Sequence, residues 1–270
     1  MLVNSVPLSE TIVFETSCVS GTQQCDRLPS KVANEKRMEM KKIGLIGGLS
    51  WVSTAAYYKL LNEMMEAKLG GVSSARLVLE SVNRQAFVEA VIGRQDEAAA
   101  CEQILDAVRG LERAGADFVV ISCNGVHRFV PAISREVGIP FLHIAEVTAE
   151  AIRLVGINQV ALLGVRKTME GDFYHEILEK NHIRTLIPND EGRTYIHDKI
   201  YEELTKNVFT HETREGYLEV VKELQARGAE GVILGCTEIP LLLSPDQIPM
   251  PSFSTTELHC AAAVKMAISE

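Results

Sequence analysis

A strand-like segment that ends in a cysteine occurs twice in the 270-residue chain, and this repeat constrains the fold most strongly. In both copies the cysteine follows a glycine by eight residues, from Gly115 to Cys123 and from Gly228 to Cys236. The apolar run before each cysteine is typical of a buried parallel strand, and the polar pair after it can begin a helix. We therefore predict that each cysteine lies where a strand meets a helix, the place where open α/β sheets bind ligands.

Predicted strands and helices alternate from Lys41 onward, which indicates an α/β protein with mostly parallel sheets flanked by helices. The segment 43–47 resembles 160–164, at an offset of 117 residues, and the two cysteines are 113 residues apart. Two similar offsets indicate two pseudo-symmetric halves, whose cysteine turns would share one cleft. The alternative is that any two strand–helix units look alike. The matching glycine, alanine and acidic residue before each cysteine make that alternative weaker.

The pattern predicts two domains and an N-terminal extension. The first α/β domain comprises residues 41–143 plus 256–270, and the second comprises 144–255. Residues 1–40 are polar and show no sustained periodicity, so we interpret them as a disordered or vector-derived extension. Some predicted elements inside the domains are a helix over 89–113, a helix over 126–137 and a strand over 140–144.

Composition excludes several classes of function. The net charge of −9 argues against binding to a nucleic-acid backbone. No apolar run approaches the roughly 20 residues that cross a membrane. The six cysteines form no Cys-x-x-Cys pair, which is typical of reduced thiols in a cytoplasmic protein and not of a disulfide framework or a metal site.

Two cysteines that face each other across a cleft can act as base and acid on one carbon. A helix N-terminus stabilises a thiolate, so we expect the pKa of Cys123 and Cys236 to lie below the ordinary value of about 8.5. One thiolate would remove a proton from one face of the carbon, and the other thiol would deliver a proton to the opposite face. The alternative is a small buried packing residue. That alternative is our interpretation of the remaining cysteines, Cys18, Cys25, Cys101 and Cys260.

Several polar residues follow the predicted strands closely enough to contact a ligand. Asn124 and Thr237 come directly after the two cysteines and can bond a carboxylate or ammonium group, with helix capping as the alternative role. Ser50 follows the first strand, and Thr168 follows its counterpart in the second half. We predict both as substrate ligands, and Thr54 as a weaker candidate.

Three segments form specific motifs: Gly47-Gly-Leu-Ser-Trp51, Cys123-Asn124 with His127, and Leu234-Gly-Cys-Thr-Glu-Ile-Pro240. Together they resemble the cofactor-independent aspartate/glutamate racemase family, in particular its aspartate racemase branch, from about residue 42 to the C-terminus. The resemblance implies two pseudo-symmetric α/β domains and proton transfer by two cysteines. It also implies that neither pyridoxal phosphate nor a metal takes part, and that the protein is a homodimer.

The resemblance also implies which groups bind a small acidic amino acid. Arg84 is favoured for the second carboxylate because a guanidinium binds carboxylates in a bidentate way. Lys206 is expected to assist, with a solvated surface charge as an equal alternative. Glu238 stands where glutamate-specific relatives have histidine, which favours aspartate. His127 and Lys167 are lesser candidates.

Position 125 departs from the family pattern, which has threonine after Cys-Asn where this chain has Gly125. The threonine hydroxyl that would bond the substrate carboxylate is missing, but the backbone N–H remains and a water can replace the hydroxyl. The predicted function is interconversion of L- and D-aspartate, or of glutamate. Two alternatives stay open: an isomerase or decarboxylase of small dicarboxylates, and a dicarboxylate-binding protein that has lost turnover because of Gly125.

Overall fold

Two separate parallel β-sheets flanked by helices form the framework of the computed structural model, which describes residues 40–269. The strands are β1 (Ile43–Gly47), β2 (Leu77–Ser81), β3 (Phe118–Ile121), β4 (Gln159–Leu163), β5 (Arg184–Leu186), β6 (Gly231–Leu234) and β7 (Ser252–Ser254). Their order is β2-β1-β3 in the first sheet and β5-β4-β6-β7 in the second, with every neighbouring pair parallel. The predicted α/β class is confirmed. The predicted extension, with Cys18 and Cys25, lies outside the described residues apart from residue 40.

Helices connect the strands and cover the sheets. They are α1 (Trp51–Leu69), α2 (Arg84–Val88), α3 (Glu97–Arg113), α4 (Val130–Ile133), α5 (Ile144–Val155), α6 (Arg166–Met169), α7 (Asp172–Lys180), α8 (Asp190–Glu202), α9 (His211–Ala226), α10 (Ile239–Leu242) and α11 (Thr255–Ile268). A π-helical turn spans Glu89–Gly93, and 3₁₀ turns span Asn124–Phe129, Leu204–Lys206 and Pro245–Gln247.

The two sheets repeat one topology. Strands β2-β1-β3 correspond in order and direction to β5-β4-β6, so the predicted pairs β1 with β4 and β3 with β6 occupy equivalent places. The second sheet adds β7 beside β6. In the first sheet the equivalent contact is a single bridge between Val119 and Phe141, and the strand predicted over 140–144 does not form. The reason is that His143 already caps α5, which leaves too few residues for a strand.

Two predicted helices are interrupted where the local sequence opposes an α-helix. The segment 89–113 divides at Gln95, whose φ of 55° ends the π-helical turn. Asp96 then caps α3 by accepting a hydrogen bond from the Ala99 N–H at 2.9 Å. The helix predicted over 126–137 is a 3₁₀ turn followed by the short α4. Pro131 has no N–H to bond to the carbonyl of His127, so a continuous α-helix cannot pass this point.

Strands β1 and β3 of the first sheet are buried on both faces, which explains their continuous apolar runs, whereas the edge strand β2 is partly exposed. Ile43 and Leu45 pack toward α1 and α11, whereas Ile46 packs toward α3. Cys260 on α11 is fully buried in this core, and Cys101 packs against the α3 side. The last helix of the chain therefore covers the first sheet.

The chain turns sharply after β1 because Gly48 has a φ of 83°, a conformation that favours glycine. A Cβ at this position would lie 2.2 Å from the carbonyl oxygen of Val82, so no other residue fits without a shift of the backbone. This turn brings Leu49 and Ser50 to the carboxyl end of the sheet. The segments that follow β3, β4 and β6 reach the same region.

Candidate active site

One cavity of about 510 Å³ lies where the carboxyl ends of the two sheets meet. Its volume suits a small organic ligand, and its place is the usual one for ligands in α/β proteins. It is lined by most of the residues that the sequence singled out: Ser50, Arg84, Cys123, Asn124, Gly125, Thr168, Cys236, Thr237 and Glu238. The structure thus brings the two cysteines and their flanking polar residues to one site.

Lys206 is one predicted site residue that does not line the cavity. Its side chain is exposed and does not belong to the cavity lining, whereas the neighbouring Thr205 does. The 3₁₀ turn directs adjacent side chains to different sides, and it ends at Asn207 with a φ of 62°. The structure therefore does not bring Lys206 to the cavity, in agreement with the alternative of a solvated surface charge.

Cys123 is the N-cap residue of the 3₁₀ turn after β3. Burial raises the pKa of its thiol to about 11, and the negative charge of Glu238 acts in the same direction. The backbone N–H groups of Val126 and Gly125 lower the pKa of this thiol, as expected for a helix start, but they do not offset the loss of hydration. The expected lowering of the pKa is therefore wrong for Cys123.

Cys236 has a carboxylate as its direct partner. Its thiol donates a hydrogen bond to Glu238 Oε2 at 3.0 Å. Burial raises the pKa of Cys236 well above its usual value, and the negative charge of Glu238 adds to this effect. The backbone N–H of Glu238 lowers the pKa, but here too burial outweighs the contribution of the turn. The sequence-based expectation is wrong for this thiol as well, for the same reason.

Glu238 is 2% exposed and is held by hydroxyl groups from both halves of the fold. Ser53, in the first turn of α1, donates to Glu238 Oε1 at 2.8 Å, and Thr237 donates to Oε2 at 3.0 Å. The Ser53 and Thr237 hydroxyls also contact each other. Sequence analysis missed Ser53. The available signal was its place three residues after Ser50 in the glycine-turn motif.

Asn124 is fixed by two hydrogen bonds that leave little of its amide for a ligand. Its Nδ2 donates to Thr255 Oγ1 at 3.0 Å, and Tyr174 donates its hydroxyl to Oδ1 at 2.7 Å. Thr255 in turn donates to the carbonyl of Leu234 at the end of β6. These bonds connect the turn after β3 to elements around the second sheet. Tyr174 and Thr255 are further residues that sequence analysis missed.

Thr168 and Ser50 differ in how far their hydroxyls are already engaged. Within the described part of the chain, the buried Thr168 Oγ1 has no hydrogen-bond partner. An unsatisfied buried hydroxyl that lines a cavity indicates a ligand atom, because such groups are otherwise paired. Ser50 instead caps α1, where its Oγ accepts a weak bond from the Ser53 N–H at 3.4 Å. Thr54 does not line the cavity.

Three of the basic residues around the cavity are occupied by carboxylates. Arg128 pairs with Glu97 at 2.8 Å, and Lys167 pairs with the same carboxylate at 3.4 Å. Arg166 pairs with Glu170 at 2.7 Å. These pairs neutralise much of the positive charge of the cavity lining.

Arg84 differs from these residues. Among residues 40–269, no carboxylate lies within ion-pair distance of its guanidinium, which is 5.9 Å from the ring centroid of Tyr201. Arg84 begins α2 directly after its cap, Asn83. Its charge is therefore available to a ligand carboxylate, while the aromatic ring restricts its position.

A cluster of three histidines, of which His127 and His259 are fully buried, lies behind the turn that carries Cys123. His127 donates Nδ1–H to the carbonyl of Cys123 at 3.0 Å, which leaves Nε2 as an acceptor without a partner among the described residues. Its ring lies 4.9 Å from that of His143 and 5.6 Å from that of His259. Burial lowers the pKa of all three, to about 4 for His143 and His259. His127 supports the turn from behind and does not line the cavity.

Two parallel α/β units thus place paired cysteines in one cavity. Residues 46–263 match the model of the Asp/Glu/Hydantoin racemase family, and the chain belongs to this family. The predicted resemblance is confirmed. Among the helices of the described region, none is both long and apolar enough to cross a bilayer.

Known proteins of similar sequence or structure include racemases. The broad specificity amino-acid racemase RacX of Bacillus subtilis (strain 168) is 23% identical over 77% of this chain and 90% of its own length. A proposed Asp/Glu racemase from Yersinia pestis is 39% identical, with a TM-score of 0.79 over 85% of this chain and 100% of that protein. An aspartate racemase homologue from Pyrococcus horikoshii OT3 is 32% identical, with a TM-score of 0.74 and the same coverage.

Proposed function

We propose that this protein is a cofactor-independent amino-acid racemase that interconverts L- and D-aspartate, with glutamate as a second substrate, by proton transfer between two cysteines. The observation that carries the proposal is the presence of Cys123 and Cys236, from equivalent turns of two repeated units, in one cavity. Family membership supports the isomerase class. The related proteins named above support an amino-acid substrate.

In the proposed reaction, the α-carbon of the substrate lies between the two sulfur atoms. One cysteine acts as a thiolate and takes the α-proton, and the other, as a thiol, protonates the carbanion from the opposite face. Burial raises the pKa of both thiols, so the proposed reaction requires that the bound substrate favour the thiolate. The ammonium group of an amino acid does this, because a nearby positive charge lowers the pKa of a thiol.

The proposed contacts use polar groups that line the cavity, among which the Thr168 hydroxyl has no hydrogen-bond partner within the described residues. The Thr168 hydroxyl and the backbone N–H of Gly125 would bind the α-carboxylate, and Arg84 would bind the second carboxylate of aspartate. Ser50 and Thr237 line the cavity and complete its polar part. Apolar side chains such as Phe87 and Val91 line another part of the cavity.

The test is α-proton exchange in D₂O, followed by ¹H NMR, for both enantiomers of aspartate, glutamate, alanine and lysine. We expect exchange and inversion of aspartate without added cofactor, a lower rate for glutamate, and much lower rates for alanine and lysine. Saturable aspartate binding without exchange would instead support the binding-protein alternative. Release of CO₂ from a dicarboxylate would support the decarboxylase alternative.

We further propose a homodimer in the cytoplasm. Trp51 is 67% exposed and Tyr58 is 54% exposed, and they lie seven residues apart on the same side of α1. Large exposed aromatic side chains on one helix face are typical of protein contacts. Analytical ultracentrifugation is expected to give twice the monomer mass, and a Trp51→Ser/Tyr58→Ser variant is expected to shift toward monomer.

A further inference from the structure

The two cysteine turns follow equivalent strands of the fold and differ in their side chains. In each turn the backbone N–H two residues after the cysteine lowers the pKa of the thiol, from Gly125 in one turn and Glu238 in the other. The residue at this position has no side chain beside Cys123. Beside Cys236 it provides a carboxylate 3.0 Å from the sulfur. The pseudo-symmetry of the fold therefore does not extend to the groups that can take a proton from each thiol.

The surroundings of Glu238 are those of a proton acceptor. It is almost completely buried, and no cation of the described chain forms an ion pair with it. Its partners are the neutral donors Ser53, Thr237 and Cys236. Because Oε2 accepts the bond from the Cys236 thiol directly, a proton can pass from sulfur to oxygen without an intervening group.

We propose that Glu238 is the proton acceptor for the Cys236 thiol, that Ser53 and Thr237 hold it in place, and that Cys123 has no such partner. This inference rests on the proposed racemase function. The proton of Cys236 moves from sulfur to Glu238 Oε2, giving a thiolate and a carboxylic acid. The thiolate takes the α-proton of one enantiomer, and the Cys123 thiol gives its proton to the resulting carbanion. Glu238 then releases its proton to solvent, and the Cys123 thiolate takes a proton from solvent.

The role of Ser53 is positional. Its hydroxyl reaches across from the first turn of α1 and bonds Glu238 Oε1, so that Oε2 faces Cys236 and Thr237. Loss of this bond frees Glu238 to rotate but removes no group from the substrate. A Ser53→Ala variant should therefore lower kcat and leave KM nearly unchanged.

The test separates the two half-reactions by working in single-cysteine backgrounds. Cys123→Ser retains Cys236 and should exchange the α-proton of one enantiomer for deuterium, while Cys236→Ser should exchange that of the other. Adding Glu238→Gln keeps the size of the side chain but removes the proton acceptor. We expect exchange to fall about 100-fold or more in the Cys123→Ser background and to change less than about threefold in the Cys236→Ser background. Glu176→Gln, an exposed site on α7, is the matched control and should change neither.

Equal loss of exchange in both backgrounds would overturn the relay while leaving the racemase intact. Absence of exchange in the wild-type protein would overturn the proposed function and the relay with it.

Discussion

The turns that carry Cys123 and Cys236 follow equivalent strands and line one cavity, yet they differ in what supports them. Behind Cys123 lies a cluster of neutral histidines, and beside Cys236 lies a buried carboxylate. Burial raises the pKa of both thiols, but only the second has a side-chain base in contact among the described residues. The comparison teaches that a repeated fold can place two like groups symmetrically and still assign them different chemistry.

The largest expected effect comes from replacing either thiol. Cys123→Ser and Cys236→Ser should each lower the rate of aspartate racemisation by about 1,000-fold or more, because a serine hydroxyl is too weak a base near neutral pH. Each variant should still exchange the α-proton of one enantiomer, and the two variants should act on opposite enantiomers. Chiral chromatography measures inversion, and ¹H NMR in D₂O measures exchange. Racemisation at the wild-type rate in both variants would show that the cysteines are packing residues.

The comparison also shows how far the sequence alone can lead. The strands that precede the two cysteines were predictable, since apolar runs and the spacing from glycine to cysteine are features of the local sequence. The bond between Ser53 and Glu238 joins residues 185 positions apart, and its formation depends on how the two sheets face each other. The shift in the pKa of each thiol was predicted in the wrong direction. The start of a helix can be predicted from the local sequence, whereas the burial of a thiol depends on how distant parts of the chain pack together. The strand predicted over 140–144 was wrong because the cap of α5 begins within it.

A second prediction concerns the stability of the Cys123 side. His259 is fully buried and His143 is half-buried, and both have a pKa of about 4 in the folded protein, against about 6.5 in an unfolded chain. The unfolded state therefore binds more protons between these values, and the protein loses stability as the pH falls from about 6.5 toward 4. We expect each histidine to cost about 1 kcal/mol in the free energy of unfolding by pH 5.5, measured by urea denaturation from pH 7.5 downward.

The control for this prediction removes one titrating group while retaining its bulk. His259→Gln should be less stable than the wild type at pH 7.5, because it weakens the bonds to Tyr57 and to the Leu142 carbonyl. It should nevertheless show a shallower loss of stability between pH 6.5 and 5. An equally steep loss would assign the pH dependence to groups outside the histidine cluster.

A third prediction concerns Arg84, the cation proposed to select substrates that have a second carboxylate. Arg84→Ala should weaken kcat/KM for aspartate by about 10- to 150-fold, because a charge-assisted hydrogen bond contributes about 1.5–3 kcal/mol. The rate for alanine should change little, since alanine has no second carboxylate. Lys206→Ala is the matched control, because Lys206 is exposed and lies outside the cavity lining. Unchanged aspartate kinetics in Arg84→Ala, or a large loss in Lys206→Ala, would reverse the assignment.

The smallest expected effect comes from making the two turns more alike at position 125. A Cβ built on Gly125 would lie 3.6 Å from Thr168 Oγ1 and 3.8 Å from Arg128 Nη1, which are ordinary contacts, so a side chain fits there. Gly125→Thr adds a hydroxyl beside the unpaired hydroxyl of Thr168 and should lower KM for aspartate by about two- to tenfold, the effect of one neutral hydrogen bond. Gly125→Ala adds the Cβ without the hydroxyl and should leave KM nearly unchanged. An equal increase of KM in both variants would contradict this prediction. It would show that the substrate occupies the space beside Thr168 and that position 125 must be glycine to leave this space open.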